Sequence, residues 1–197
     1  MDTSSEQLAI AIGKALGAGD GTSYDAMALC QTGNHVERYA ISVNPRAFTW
    51  SATRLIDMST QTFDHRTLTI QTDGVDEPYS LTIERIPFSF PESVKLAFPL
   101  ALPIWGRPMD EYHPVSCEVN GPDTTLLLRH RQDATIFGSF TFDSESGIAK
   151  ALITPTSFLK LERKPGRNDG GYDFGFVAGS GDPDLQNRLR PAENTDH

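Results

Sequence analysis

Two adjoining hairpins predicted in the second half of the chain constrain the fold more than any other feature. In the first, residues 114–120 and 124–131 flank an Asn-Gly step, which is a hairpin signal. Facing Val119 with Thr124 gathers the apolar side chains on one face and leaves Leu127 as the exception on the other. A slip of one residue would reverse both faces, so the pattern favours this register. The predicted apolar face consists of Val115, Cys117, Val119, Leu126 and Leu128.

The same register places His113 and His130 opposite each other, on the apolar face at the open end of the hairpin. Cross-strand imidazoles can bind a transition metal or form an acid–base pair, with Asp110 or Glu111 nearby. However, Pro114 disrupts pairing beside His113, no third ligand is fixed by spacing, and a loop carboxylate is usually solvated. We therefore expect the two histidines to form the polar rim of an apolar pocket, without a metal or another cofactor.

The second hairpin joins residues 135–142 to residues 148–154 through a Ser-Glu-Ser-Gly turn. Facing Asp143 with Ile148 keeps Lys150 from being buried beside an aromatic ring, which would be costly without a partner. Gly138 suits a bend or a close approach of two backbones. Large side chains then meet small ones, as a curved sheet requires; the facing sets are Ile136, Gly138, Phe140 and Phe142 against Ala149, Ala151 and Ile153.

The rest of the chain predicts further strands behind an amino-terminal helix. Ser5 can cap a helix over residues 6–16, and Thr22 can cap a second short helix through Met27 to Cys30. Strands are predicted over 35–43, 47–57, 61–71, 78–86 and 156–163. The expected fold is mainly β (α+β): an antiparallel β-barrel, open or closed, of roughly nine strands with one or two short N-terminal helices.

A proline- and aromatic-rich segment, residues 87–114, separates the two sets of strands. It is long for a connection within one domain, so we expect it to pack across the sheet as a lid or rim. Residues 1–164 are predicted to form a single domain. Residues 165–197 are rich in Gly, Asp, Asn and Pro and are predicted to be a flexible C-terminal tail.

The amino-acid composition and charge restrict the kinds of partner that this protein is expected to bind. The formal charge of −9 and a pI near 4.9 argue against binding to nucleic acid or to anionic membranes. The apolar stretch 94–105 is too short and too interrupted by proline to span a bilayer. Cys30 and Cys117 lack metal-motif spacing, and the first residues lack the features of a secretory signal. We expect a cytoplasmic protein.

Several apolar and aromatic residues are candidates for lining a ligand pocket, with core packing as the alternative interpretation. The Asp64-His65 pair looks like part of a catalytic triad, but neighbours in a strand point to opposite faces, and no nucleophile motif accompanies it. The candidate ligand-binding residues are Trp50, Trp105, Tyr112, Phe140, Phe142, Leu126 and Leu128, and the candidates for catalysis are His113, His130 and Tyr112.

One helix followed by long antiparallel strands, a proline-rich crossing segment and the late element Phe-Asp-Ser-Glu-Ser-Gly-Ile at 142–148 resembles the lipoprotein-carrier half-barrels. These comprise the periplasmic LolA-like fold and its mycobacterial lipid-binding relatives. The resemblance covers about residues 41–163 of the sequence. It implies an open, curved sheet that encloses an apolar cavity covered by helices.

The function predicted first is binding of a hydrophobic small molecule or acyl chain in an apolar barrel cavity with a few polar groups at its mouth. One alternative is a cofactor-independent cyclase or isomerase that holds a hydrophobic metabolite in a reactive shape. Another is a protein-interaction module that docks through residues 88–112 and exposes a large apolar patch. The sequence leaves enzymatic turnover open, and an open sheet edge would allow a homodimer.

Overall fold

The computed structural model describes residues 3–17, 21–80 and 90–164, which build one large antiparallel sheet with helices on one side. The helices are α1 (Thr3–Leu16) and the short α2 (Glu92–Lys95), and a 3₁₀ turn spans Pro99–Ala101. The strands are β1 (Tyr24–Thr32), β2 (His35–Asn44), β3 (Thr49–Arg54), β4 (Thr60–Asp64), β5 (Thr69–Thr72), β6 (Tyr79–Ser80), β7 (Tyr112–Asn120), β8 (Asp123–His130), β9 (Phe137–Asp143), β10 (Ala149–Ile153) and β11 (Ser157–Arg163).

The strand order is β6-β5-β4-β3-β2-β1-β11-β10-β9-β8-β7, and every neighbouring pair is antiparallel. The first and the last strands along the chain therefore pair at the middle of the sheet. Strands β6 and β7 stand at the two ends of this order, so the eleven described strands form an open sheet. The predicted mainly β, antiparallel class is confirmed, and the open form is the one that occurs.

Residues 24–32 form β1, so the predicted second helix is wrong. Tyr24 pairs with Val43, and on its other side β1 pairs along seven positions with β11. Ala26, Ala28 and Cys30 are buried at a spacing of two, as a strand requires. Two-sided pairing overrides the helix propensity of the alanines, methionine and leucine in this segment.

The predicted strand over residues 61–71 is two strands, β4 and β5, joined by a turn that ends at Leu68 with φ of 54°. Because residues 61–71 form two strands and residues 24–32 form another, the described residues contain eleven strands rather than the nine expected. The predicted helix over 6–16 is confirmed and begins earlier, at Thr3. The predicted strand over 78–86 is described only at Tyr79–Ser80, because residues 81–89 lie outside the described part.

One face of the sheet, called here the inner face, is buried along almost every strand. The large buried side chains of this face are Ile41, Val43, Trp50, Phe63, Ile70, Leu126, Leu128, Phe140, Phe142, Leu152, Leu159 and Leu161. Their alternation with more exposed residues follows the period of two of a half-buried strand. The opposite side is called the outer face.

Residues 90–111, called here the crossing segment, lie over the inner face between β6 and β7. Their buried apolar side chains are Phe90, Val94, Leu96, Phe98, Leu102 and Ile104. α2 contacts β1, β2 and β3, whereas α1 contacts β7, β8 and the 3₁₀ turn. The expectation that this segment packs across the sheet is thus confirmed for the described residues, and its buried side chains form part of the core.

The predicted tail, residues 165–197, lies outside the described residues and stays a prediction. Among the described residues, no helix combines the length and the apolar character needed to cross a membrane.

Candidate functional site

The two histidines do not face each other, which corrects the predicted register at the open end of the first hairpin. Val119 pairs with Thr124 as predicted, but the register shifts between Pro114 and Ser116, which leaves Val115 as a bulge. Proline cannot donate to the ladder, and bulges are common on edge strands such as β7. Beyond the bulge every residue is offset by one position relative to the prediction.

As a result, His113 pairs with Arg129, while Tyr112 takes the position opposite His130. The rings of Tyr112 and His130 lie 5.2 Å apart in an edge-on arrangement, and His130 Nδ1 accepts a hydrogen bond from the backbone N–H of Asp133 at 3.1 Å. Tyr112 is buried, and burial, with the nearby charge of Glu111, raises its pKa. The structure therefore separates the proposed acid–base pair.

Asp110 is buried rather than solvated, which corrects the expectation for a loop carboxylate. Its side chain is 0% exposed and accepts hydrogen bonds from the backbone N–H groups of Trp105 (2.9 Å) and Arg107 (3.0 Å) and from Arg107 Nε (2.9 Å). The Arg107 guanidinium also donates to the carbonyl oxygens of Leu100 and Leu102. This network fixes the C-terminal part of the crossing segment, and both carboxylate oxygens of Asp110 accept hydrogen bonds within it.

The described residues contain no group of three or more His, Cys, Asp or Glu side chains placed to hold a metal ion. The side chain of Asp64 lies outside the described residues, and its predicted relation to His65 stays untested.

The aromatic candidates divide between two regions of the inner face. In the first, called here the Trp105 region, the Trp105 ring lies 5.6 Å from Phe140, which lies 5.9 Å from Phe142. Leu126 pairs with Phe140 on the neighbouring strand, and all these residues except Trp105 are fully buried or nearly so. Tightly filled space of this kind matches the alternative interpretation, core packing.

The second region, called here the Trp50 region, is an aromatic cluster on β3 and β4 under the start of the crossing segment. The Trp50 ring stacks on Phe63 at 6.0 Å, and Phe90 lies 5.9 Å from Phe63. Phe48 lies 5.6 Å from Phe90 and 5.2 Å from Phe98. Of the residues in this cluster, only Trp50 was predicted from the sequence to line a ligand pocket. The spacing of two between Phe48 and Trp50 and the phenylalanines of the crossing segment are the signals that point to the others.

The indole groups of the two regions differ in their hydrogen bonds. Trp105 Nε1 donates to the carbonyl oxygen of Pro99 at 2.7 Å. Trp50 is only 4% exposed, and its Nε1 has no hydrogen-bond partner within the described residues. A buried donor without a partner costs about 1–3 kcal/mol, so such groups are rare and call for a physical explanation.

Two turns beside Trp50 hold strained backbone. Phe48 and Leu68 both have φ of 54°, a left-handed conformation that bulky side chains rarely adopt. Each such residue costs about 1–3 kcal/mol and persists only where the surroundings impose it. Both side chains pack against the core, so the strain is the means by which these two turns fold an apolar group inward over the sheet.

A polar group stands on β2 and β3, beyond the aromatic cluster. Tyr39 donates its hydroxyl hydrogen to Glu37 Oε2 at 2.6 Å, and Arg54 Nη1 donates to Glu37 Oε1 at 3.1 Å. These two hydrogen bonds hold the pKa of Glu37 below its usual value. Arg54 also pairs with Asp57, so one guanidinium group serves two carboxylates.

Cys30 lies beneath α2, in a shallow depression that includes Glu92 and Ser93. Burial, with the nearby carboxylates of Glu92 and Glu37, raises the pKa of its thiol to about 12. Cys30 is therefore an unreactive thiol as long as α2 stays in place.

Two depressions that the structure describes along the inner face hold little free space. The depression at Cys30 has an interior volume of about 0 Å³. A second depression has about 10 Å³, which is barely room for one water molecule. It is lined by Tyr24, Pro45, Leu96, Ala97, Pro99, Ile148 and Ala149. Neither depression has room for an apolar ligand unless side chains that line it move.

No protein-family model and no curated protein matches this chain. Among solved structures, it is similar to the crystal structure of MucB, with 13% sequence identity over 89% of this chain and a TM-score of 0.45. The structure of MucB in complex with MucA(peri) gives 13% identity over 82% of this chain and a TM-score of 0.40. The chain spans 64% and 56% of the respective MucB chains. The open antiparallel sheet described above agrees with the architecture that the half-barrel resemblance implies.

Proposed function

We propose that the protein binds a hydrophobic small molecule or acyl chain on the inner face, in the Trp50 region. The unpartnered indole N–H of Trp50 carries this proposal, because it is a hydrogen-bond donor held in an apolar, aromatic environment. A ligand with an apolar body and one acceptor oxygen, such as a carbonyl or carboxyl group, would bury its body among the rings and pair with this donor.

The start of the crossing segment is the part that moves. Phe90 and Phe98 occupy the space beside Trp50 through ring packing, and an acyl chain or an aromatic group offers equivalent apolar contacts. Displacement would also let Phe48 relax from its left-handed conformation. The other end of the segment stays fixed, because Asp110 and Arg107 hold it through a buried ion pair.

The competing functions have less support. The described part of residues 88–112 turns Phe90, Phe98, Leu102 and Ile104 inward, which disfavours a docking surface on that segment. His113 and His130 do not face each other, so the described residues do not show them acting as a pair, while the cyclase or isomerase interpretation needs only one of them. Turnover of a hydrophobic metabolite remains an untested prediction.

Titration with cis-parinarate, a fluorescent 18-carbon fatty acid, tests the proposal, with palmitate as the displacing competitor. Trp50→Phe keeps an aromatic ring and removes only the donor, so we expect its affinity to fall about 3- to 10-fold, the value of one hydrogen bond. Trp105→Phe is the matched control and should bind as the parent does. Native mass spectrometry of the freshly purified protein would identify a copurified ligand as an adduct lost on denaturation.

Absence of saturable cis-parinarate binding would reject the acyl-chain form of the proposal. Equal losses in Trp50→Phe and Trp105→Phe would show that binding does not use the Trp50 donor and would move the site elsewhere on the inner face.

A further inference from the structure

The polar groups that border the Trp50 ring on β3 and β4 carry no charge. Gln61 lies on the inner face of β4, where it pairs with Ala52 of β3 and stands two residues before Phe63. Trp50 precedes Ala52 by two residues on the same face, so Gln61 is its diagonal neighbour, with the two Cα atoms about 7–8 Å apart. The small side chain of Ala52 places no barrier between them. A half-buried glutamine at this position can therefore reach a ligand group that the Trp50 indole binds.

Both groups can donate a hydrogen bond to a neutral oxygen. The Trp50 indole N–H is a donor only, and it has no partner within the described residues. The amide of Gln61 offers two donor hydrogens and one acceptor oxygen. An ester or amide carbonyl oxygen accepts such hydrogen bonds without bringing a charge into the region.

A ligand carboxylate beside Trp50 would lack a buried counter-ion. In the described ranges of the chain, no lysine, arginine or histidine is buried. Arg46 and Arg66 are exposed in the turns on either side of β3 and β4. Lys95 of α2 already pairs with a glutamate of the same helix. Arg54 lies four residues beyond Trp50, about 13 Å along the strand, and already serves two carboxylates.

The charges that do stand on β2 and β3 disfavour an anion. Glu37 and Asp57 share the single guanidinium group of Arg54, so two negative charges face one positive charge. The whole chain has a formal charge of −9. Burial of an ion without a partner costs far more than burial of a neutral group that accepts a hydrogen bond. A ligand whose polar end is neutral is therefore favoured in the Trp50 region.

We propose that the ligand of the Trp50 region is a neutral acyl ester or amide, and that Gln61 sets the preference for it over an ionised fatty acid. The carbonyl oxygen of the ligand accepts a hydrogen bond from Trp50, and its chain packs among the rings. This inference rests on the proposed function and adds the class of the polar end group. Lysine and arginine are the side chains that bind carboxylates most strongly, and this chain has an amide at that position.

cis-Parinaric acid and its methyl ester carry the same fluorescent chain, so titration of each into the full-length protein at neutral pH compares the end groups. The acid is ionised at that pH. We expect the ester to bind at least about 30-fold more tightly, because the acid must either bury an unpaired charge or leave its end group in water. The additional methyl group of the ester accounts for only about 4-fold of this difference.

Gln61→Lys supplies the missing cation. It should raise the affinity for the acid about 10-fold and change the affinity for the ester by less than about 3-fold. Thr62→Lys is the matched control, since this adjacent residue is exposed and points to the outer face. It adds the same charge without reaching the ligand, so both affinities should stay as in the parent.

Gln61→Glu has nearly the shape of the parent side chain and adds a negative charge instead. It should weaken binding of the acid by about a further 10-fold and leave the affinity for the ester within about 3-fold of the parent. Circular dichroism should show that all three variants keep the sheet.

Affinities of the acid and the ester that differ by no more than the contribution of the methyl group would overturn the neutral end group, while the proposed acyl-chain binding would stand. Equal gains in affinity for the acid in Gln61→Lys and Thr62→Lys would overturn the role of Gln61. Saturable binding of neither compound would instead reject acyl-chain binding itself, and this inference with it.

Discussion

The Trp105 region and the Trp50 region bury similar aromatic groups but differ in how their polar atoms are satisfied. Trp105 donates to a carbonyl oxygen, and beside it the buried Asp110 accepts hydrogen bonds from three N–H groups. In the Trp50 region the indole N–H has no partner in the described chain, and two neighbouring turns are strained. Side-chain hydrogen bonds hold the first region, whereas the described contacts around the Trp50 ring are ring contacts.

This difference indicates which part of the crossing segment can move. Apolar contact is not directional, so the apolar body of a ligand can substitute for the ring contacts of Phe90 or Phe98. Displacement of Asp110 would instead leave the partly buried charge of Arg107 without its partner. A satisfied polar network therefore fixes one end of the segment, and the unsatisfied donor lies at the end where we propose that a ligand binds.

The largest expected effect comes from breaking the closed region. Asp110→Ala leaves Arg107 without its carboxylate partner, so we expect the free energy of unfolding to fall by about 3 kcal/mol, measured by urea denaturation. Asp57→Ala removes the carboxylate of an exposed pair with Arg54 and should change stability very little. Similar losses in the two variants would mean that the Asp110 network does not hold the segment.

The two cysteines report movement of the start of the crossing segment. Because burial raises the pKa of Cys30 to about 12, we expect the folded protein to react with Ellman's reagent at Cys30 at least about 100-fold more slowly than at half-buried Cys117. The variants Cys117→Ser and Cys30→Ser separate the two rates. Adding cis-parinarate should accelerate Cys30 alone, since α2 is displaced. Protection of Cys30 by cis-parinarate would contradict displacement.

Paired tryptophan variants test the hydrogen-bond difference by stability. Burial alone predicts that Trp50→Phe is the more damaging change, because Trp50 is the more buried ring. Hydrogen bonding predicts the reverse order, since Trp105→Phe loses a bond to Pro99 while Trp50→Phe removes an unpaired donor. We expect Trp105→Phe to be less stable than Trp50→Phe by about 2 kcal/mol. The reverse order in chemical denaturation would show that the Trp50 donor is satisfied in solution.

The smallest expected effect is on the melting temperature at acid pH. The backbone N–H of Ser146, with its hydroxyl and the Lys150 ammonium, lowers the pKa of Asp143 to about 2. A lowered carboxyl pKa stabilises the fold above the unfolded value near 4, and this stability is lost as pH falls toward 2. Asp143→Asn should therefore flatten the fall of the melting temperature between pH 4 and pH 2, followed by circular dichroism. An unchanged slope would assign the acid sensitivity to other groups.

Sequence patterns predicted the correct strand register near the turn of each hairpin and the wrong register farther from it. Val119 faces Thr124 and Phe142 faces Ala149 as expected, because turn chemistry and alternation act locally. Beyond those points bulges at Val115 and near Lys150 shift the register, so that Leu152 rather than Ala151 faces Phe140. A bulge adds one residue without any characteristic residue type, so alternation alone cannot locate it.

Gly138 shows what a local signal can still specify. It was expected at a close approach of two backbones, and a Cβ there would lie 2.7 Å from the carbonyl oxygen of Ile153.

The candidate site was less predictable. Whether Trp50 finds an acceptor depends on β4 and the crossing segment, and no pattern around Trp50 contains that information.

Pairing of β1 with β11 has a consequence for synthesis of the chain. Strand β1 is made first, yet its partner Ser157–Arg163 follows more than a hundred residues later. At about 5–20 residues per second the ribosome needs on the order of ten seconds to supply it. During that interval one edge of β1 has no neighbouring strand. Its unpaired backbone N–H and C=O groups can then pair with a strand of another chain. The slower the synthesis, the longer that edge stays exposed before β11 pairs with it.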